Sequence, residues 1–426
     1  MGGSQAAADT IASGMQRIAI TGIGSVSPVG LTTDEAWEAL LAGRSGVAEI
    51  TQFDASDMPI RVAGEVKGFD PVAVAGAKEA RRMDRNVLLA LAAARQAFDD
   101  AELVVDDPTR AGVLFGTAIG GFHTMMEQHD IMRDRGWERV APWFLPQCLP
   151  DVASGAIAQL LDLRGHNLAP ISACSTGAHA VMEAAELIRR GDADIVLAGG
   201  GEACIHPLII AGFTSMKGLG SPRPGEGPET ASRPFDATRD GFVCAEGATV
   251  LVLESVERAE RRGARIYAEV VAGGNTNDAY HAVTPRPDSQ GVVNMMRVAL
   301  ERARLDRSEI GYINPHGTST PQGDAAETKA IKEVFGEHAH RLVVSSTKSA
   351  TGHQFGGAGS FEVAVCALAL RDQIVPPTLN YRDPDPDCDL DYVPEGARKV
   401  DLEYALSNSM GLGGHNGCVI LRRYRG

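Results

Sequence analysis

The 426-residue chain is short of the features on which several protein classes depend. Its seven cysteines, at positions 148, 174, 204, 244, 366, 388 and 418, are odd in number and never spaced as CxxC, which speaks against a disulfide framework and a zinc ribbon and favours a reducing, cytoplasmic setting. No run approaches the roughly 20 apolar residues of a membrane span. Residues 1–16 hold no apolar core of signal-peptide length and read as an unstructured leader. A net charge of −15 excludes nucleic acid as a general partner, because a phosphate backbone needs a basic face. HExxH is missing, and no carboxylate-rich ligand set flanks the histidines, so no metal is expected. Gly116-Thr-Ala-Ile-Gly-Gly121 imitates a nucleotide loop but has no GK[ST] ending, and no GxGxxG opens the first helix.

What remains is ordinary globular composition, 44% apolar and 22% charged, with 48 glycines for tight turns. From Arg17 onward β-rich runs alternate with helical periodicity. Strands are predicted at 18–21, 112–116, 194–198 and 249–254, and helices at 34–42, 86–101 and 178–190. A charged helix with a Gly stop, 255–263, precedes a second βα series that opens with a strand at 266–271. That series places helices at 289–303, 325–335 and 359–370, strands at 310–313 and 342–345, and two closing strands flanking Ser407 to Asn416. Alternating βα order implies a largely buried mixed or parallel sheet, divided into halves 17–265 and 266–426. The Pro- and Gly-rich stretch 215–240 is too long for a simple turn and is expected to wrap over a site.

The chemistry centres on Cys174, in Ile171-Ser-Ala-Cys174-Ser-Thr-Gly-Ala178 just before a helical run. Small neighbours leave room for an acyl group, and unpaired amides at a helix start favour a thiolate. A Cys before a helix is more often structural than catalytic. Two histidines shift the balance: His316 in Asn314-Pro-His-Gly-Thr-Ser-Thr320 and His353 in Ser345-Ser-Thr-Lys-Ser-Ala-Thr-Gly-His353 each follow a β-rich run. Imidazoles at strand ends can project into the nucleophile's cleft. Lys348 is either a loop cation or the partner of a carboxylate such as Glu362. Asp324 and Glu327 share a helix face as acid/base groups or as caps. The glycines of Gly411-Leu-Gly-Gly414 let backbone approach a ligand and offer amides to an oxyanion. Lys78, Arg81, Arg82 and Arg85 fall near one helical face, either a solvated surface or a basic patch.

The whole assembly resembles the β-ketoacyl-acyl carrier protein synthases, thiolase-superfamily condensing enzymes, and most closely the elongating synthase II type of dissociated fatty acid synthesis. The likeness runs from Arg17 to the C-terminus: SPVG at 27–30, ACS at 173–175, RPFD at 233–236, PHGTSTPxGDxxE at 315–327, SSTKSxTGH at 345–353, PPTLN at 376–380 and NSxGxGGxN at 408–416. It implies an α/β thiolase-like five-layer α-β-α-β-α fold built from two related βα halves, a homodimer, no cofactor, and acyl- and malonyl-loaded carrier protein as partners. Cys174 would carry the acyl chain as a thioester. His316 and His353 would bind the malonyl thioester carbonyl and assist decarboxylation, with Lys348 and Glu362 organising them. The amides of Cys174 and Leu412 would form the oxyanion hole. Thr318 and Thr320 match positions along the phosphopantetheine arm, Ile119 and Phe213 line the acyl tunnel, and Lys78, Arg81 and Arg82 match the carrier docking patch.

The chain departs from the family at the gate, where Met410 and Leu412 replace phenylalanines, and at Pro315, which replaces the common alanine. The apolar but less rigid gate implies an altered chain-length range or starter. A thiolase would carry a second cysteine in the last glycine loop, where this chain has His415, and the initiating synthases have Asn where it has His353. A polyketide ketosynthase working beside a chain-length partner keeps the same three residues and stays the alternative; a catalytically dead partner subunit would lack Cys174.

Overall fold

The computed structural model describes residues 16–426, so the leader expected over 1–16 lies outside the described residues but for Gln16. Ten strands form one sheet. In chain order they are β1 (Ile18–Val26), β2 (Ala111–Gly116), β3 (Asn167–Leu168), β4 (Ile195–Glu202), β5 (Gly247–Ser255), β6 (Ala268–Asn277), β7 (Ile310–Asn314), β8 (Val343–Val344), β9 (Tyr404–Gly411) and β10 (His415–Arg422). Across the sheet they run β8-β7-β9-β10-β6-β1-β5-β4-β2-β3. Each half therefore repeats one order, third-second-fourth-fifth-first strand, with the same pairing directions: β4 and β3 flank β2 in parallel as β9 and β8 flank β7, while β5 and β10 pair antiparallel on both sides. The halves join where Ile18, Ala19 and Ile20 of β1 pair with Val270, Glu269 and Ala268 of β6.

Six helices complete the layers: α1 (Arg85–Asp100), α2 (Val152–Leu161), α3 (Thr176–Arg189), α4 (Gln290–Ala303), α5 (Pro321–Phe335) and α6 (Ala358–Asp372). One apolar cluster joins α1 and α2 to the outer face of the first half, and another joins α4 and α5 to the outer face of the second. The third lies between, built on α3 and α6 with both halves of the sheet around it. The result is the five-layer α-β-α-β-α thiolase-like architecture. The sequence of α6 explains its central place: every residue from Ala358 to Leu370 is buried, mostly small and apolar, and the one charged group among them, Glu362, is paired to Lys348. Close layering also needs bare backbone: a Cβ on Gly24 of β1 would stand 2.0 Å from the Ala93 carbonyl of α1.

Three local expectations are corrected. The basic tract is not one helix face: a helix Pro71–Ala80 ends there, Asp84 accepts the Asn86 amide as a new N-cap, and Arg85 starts α1 facing inward. The closing strands enter the 407–416 motif rather than flank it, leaving Leu412 to Gly414 as the turn. A short helix, Lys348–Thr351, separates β8 from His353, so that histidine does not sit directly at a strand end. Among the described residues no helix is long and apolar enough to cross a membrane.

Candidate active site

Cys174 occupies a single 3-10 turn, Ala173–Ser175, that leads directly into α3. Ala173 sits at φ 51°, a left-handed conformation costly for a residue with a Cβ, and the turn is locked where the Ser175 hydroxyl donates to the Ser409 and His415 carbonyls at 3.0 Å. The last glycine loop closes on Cys174. A Cβ on Gly411 would meet the Ser172 carbonyl at 2.7 Å and the Cys174 nitrogen at 3.1 Å, and the Leu412 amide donates toward the Cys174 sulfur. Burial pushes the thiol up to about 12, against the opposing pull of Lys348 and the Leu412 amide. Desolvation thus opposes the thiolate that the helix start favours.

His316 follows β7 by two residues, and its loop is pinned from below. The buried Glu327 of α5 accepts the amides of His316 at 2.9 Å and Gly317 at 2.8 Å, while Asn408 donates to it at 3.1 Å. Asp324 similarly accepts the Phe235 amide at 2.8 Å and the Ser319 amide at 3.2 Å. Both carboxylates accept backbone amides of the histidine loop and anchor it.

The two imidazoles meet edge to face, their centroids 5.3 Å apart. Burial holds both well below the ordinary value of 6.5, reinforced by the nearby Lys348 charge and, for His316, by His353. Both are neutral at physiological pH. The two ring nitrogens of His353 have no hydrogen-bond partner, and its orientation comes from Phe355 at 5.0 Å, Phe242 at 5.7 Å and its backbone. Lys348 is ion-paired to Glu362 of α6, each only 2% exposed. Burial pushes the Glu362 carboxyl up and Lys348 pulls it back.

Cys174, His316 and His353 open onto one cavity of about 470 Å³. Thr318 and Thr320 line it with their hydroxyls 3.1 Å apart, and Phe213, Phe355, Met410 and Leu412 supply apolar wall. Met216 to Gly218 and Asp240 come from the two ends of the 215–240 stretch, which does fold over the site, and Gly241 and Phe242 follow directly after it. Ile119 packs in the apolar cluster behind Cys174, with Cys204, Cys244 and Phe355. Lys78 and Arg81 are exposed and removed in sequence from the cavity; Arg82 is half-buried, stacked 5.0 Å over Trp143 and 3.5 Å from Glu79. Phe242, Phe355 and Asn408 were missed in the sequence; Phe355 lies two residues after His353 and Asn408 opens the final motif, which was the available signal.

The arrangement is a buried thiol facing two neutral imidazole donors in a largely apolar cleft, suited to acyl transfer and to holding a developing enolate. The family model for the β-ketoacyl synthase N-terminal domain matches residues 15–259, and that for the C-terminal domain matches residues 267–382. The chain is 44% identical over 410 residues to a 3-oxoacyl-[acyl-carrier-protein] synthase 2 of Coxiella burnetii, covering 96% of this chain and 99% of the relative. A β-ketoacyl synthase of Burkholderia phymatum superposes with TM-score 0.87 at 35% identity, over 96% of this chain and 100% of that one. A ketosynthase solved in complex with its type II PKS acyl-carrier protein and bound to the hexaketide superposes with TM-score 0.88 at 33% identity, with the same coverage. Fold, site geometry and likeness over nearly the full length agree: the chain belongs to the β-ketoacyl synthase family of condensing acyltransferases.

Proposed function

We propose that the chain is a 3-oxoacyl-acyl carrier protein synthase that elongates fatty acyl chains by decarboxylative Claisen condensation with malonyl-carrier protein. The observation that carries this reading is the convergence of Cys174, His316 and His353 on one cavity, with both imidazoles neutral and the His353 nitrogens free. The Cys174 sulfur attacks the acyl thioester, and the carrier thiol leaves with the proton that Cys174 gives up. Malonyl thioester then binds, its carbonyl oxygen between the two imidazole N–H donors. Loss of CO2 leaves the C–C electron pair as an enolate, where donors in a dry cleft are worth most. The enolate carbon attacks the acyl-enzyme carbonyl, whose oxyanion the Cys174 and Leu412 amides receive. Collapse releases the 3-oxoacyl product and returns the Cys174 thiol after protonation.

Lys348 and Glu362 fix the charge around the histidines, Thr318 and Thr320 take the phosphopantetheine arm, and Ile119 and Phe213 border the acyl tunnel. Lys78, Arg81 and Arg82 dock the acidic carrier; the exposure of the first two supports this. The halves 17–265 and 266–426 supply the nucleophile and the two histidines respectively. Homodimerisation is supported by exposed Leu168 on the edge strand β3 and by exposed Ile171 and Leu208. Seven unpaired cysteines fit a cytoplasmic location.

The test is 3-oxoacyl product from the purified chain alone, given malonyl- and acyl-carrier proteins of graded length. Product without a second protein supports stand-alone elongation. Acylation without condensation until a partner subunit is added moves the reading to polyketide-type synthesis, which the likeness to a type II PKS ketosynthase keeps in view.

A further inference from the structure

Arg85 is the cation of the basic tract that is turned away from docking. Its Nε donates to the Glu246 carboxylate at 2.7 Å and its Nη2 at 2.6 Å, and Nη2 also reaches the Val66 carbonyl at 3.0 Å. Glu246 is fully buried and accepts further bonds from the Val66 amide and the Gln52 side chain, both at 2.8 Å. Arg85 is its one ion-pair partner among the described residues.

The segment that carries Glu246 is the same one that holds His353. The His353 amide donates to the Val243 carbonyl at 2.8 Å, and the Ala245 amide donates to the His353 carbonyl at 2.9 Å. On its other side Gly64 donates to Cys244 at 2.8 Å and Glu246 donates back to Gly64 at 3.0 Å. Phe242, at the head of the segment, sets its ring edge to face against the His353 ring. Because neither nitrogen of His353 is hydrogen-bonded, nothing else polar orients that imidazole.

We propose that Arg85 and Glu246 form a positioning pair for His353, clamping residues 242–246 so that the imidazole is presented to the malonyl carbonyl. The clamp fastens the start of α1, three residues beyond the docking arginine Arg82, to the segment just before β5 that carries the histidine's backbone. Misplacing a reacting group by about 1 Å can cost on the order of 10²-fold, so a loosened clamp registers in the step that uses His353. Cys174 acylation uses the Cys174 and Leu412 amides and is spared.

This inference rests on the condensing function proposed above. The experiment compares the wild-type enzyme with Glu246→Gln, the charge-free pair Arg85→Met/Glu246→Gln, and the conservative Arg85→Lys. Each is measured separately for Cys174 acylation by acyl-carrier protein and for CO2 release from malonyl-carrier protein. We expect decarboxylation to fall about tenfold or more in the first two variants, with acylation within about twofold of wild type and Arg85→Lys recovering most of the loss. Equal loss of both steps, or no loss in either, overturns the positioning role. The double variant leaves no unpaired buried charge and guards against failure to fold. Absence of decarboxylation in the wild type would instead overturn the proposed function, so the two failures are distinct.

Discussion

Glu327 reaches up from α5 to accept the backbone amide of His316 at 2.9 Å, so the imidazole is placed by a carboxylate that holds its backbone. The pattern recurs at the site: buried carboxylates hold backbone, and the His353 ring nitrogens are left without hydrogen-bond partners. Burial pushes the Glu327 carboxyl up, and the amides of Gly317 and His316 and the Asn408 side chain only partly offset it. Glu327→Gln keeps the shape but turns one accepted amide bond into a clash of donors. We expect kcat for condensation to fall about tenfold or more with little change in acylation of Cys174, read by the same two-step assay.

The neutral histidines give a signed pH dependence. His316 and His353 have folded-state values well below the ordinary 6.5, so the unfolded chain takes up protons first as pH falls. Their contribution to stability is complete above about pH 6.5 and is lost as pH falls from there toward the folded values, at up to about 1.4 kcal/mol per pH unit for each. Denaturant unfolding between pH 7.5 and 5 should show this loss, and His353→Gln should shallow the slope. An unchanged slope in that variant would mean that His353 is not held neutral by the fold.

Lys348 and Glu362 are both buried, and breaking such a pair leaves an uncompensated charge at a cost of about 3–5 kcal/mol. Glu362→Gln should therefore lower unfolding stability by that order, and Lys348→Met/Glu362→Gln should recover part of it. Urea midpoints of the three proteins check the ranking.

Met410 and Leu412 both line the cavity, and Leu412 is 39% exposed in the turn that meets the nucleophile. Filling this softer gate with Met410→Phe/Leu412→Phe should shift the chain-length profile of the product. An unchanged profile would show that the gate does not select length.

Lys78 and Arg81 are exposed on the surface. Lys78→Glu/Arg81→Glu should raise KM for acyl-carrier protein about tenfold or more, flatten its salt dependence and leave kcat unchanged.

Much of this was legible in the sequence because local pattern and tertiary outcome coincide. The apolar runs of β1, β2 and β5 and the small-residue turn at Cys174 carry their own signals, and the motifs around His316 and His353 place the imidazoles. What escaped depends on contacts distant in the chain. Arg85 matches the spacing of the basic tract, yet Glu246, 161 residues away, draws it inside. Phe242 and Phe355 bracket His353 only once the 215–240 stretch has folded back. The helix position of Cys174 favours the thiolate in sequence, but the burial that opposes it, with Cys204, Cys244 and Phe355 in the same apolar cluster, is set by residues distant in the chain. The two-residue strand β3 is too short to leave any periodicity.

The central claim is that Cys174 receives the acyl chain. Intact-protein mass spectrometry of the wild type and Cys174→Ala after incubation with an acyl-carrier protein tests it most directly. The expected result is one acyl mass on the wild type and none on the variant. No added mass on the wild type, or the same mass on the variant, would contradict the assignment of Cys174 as nucleophile.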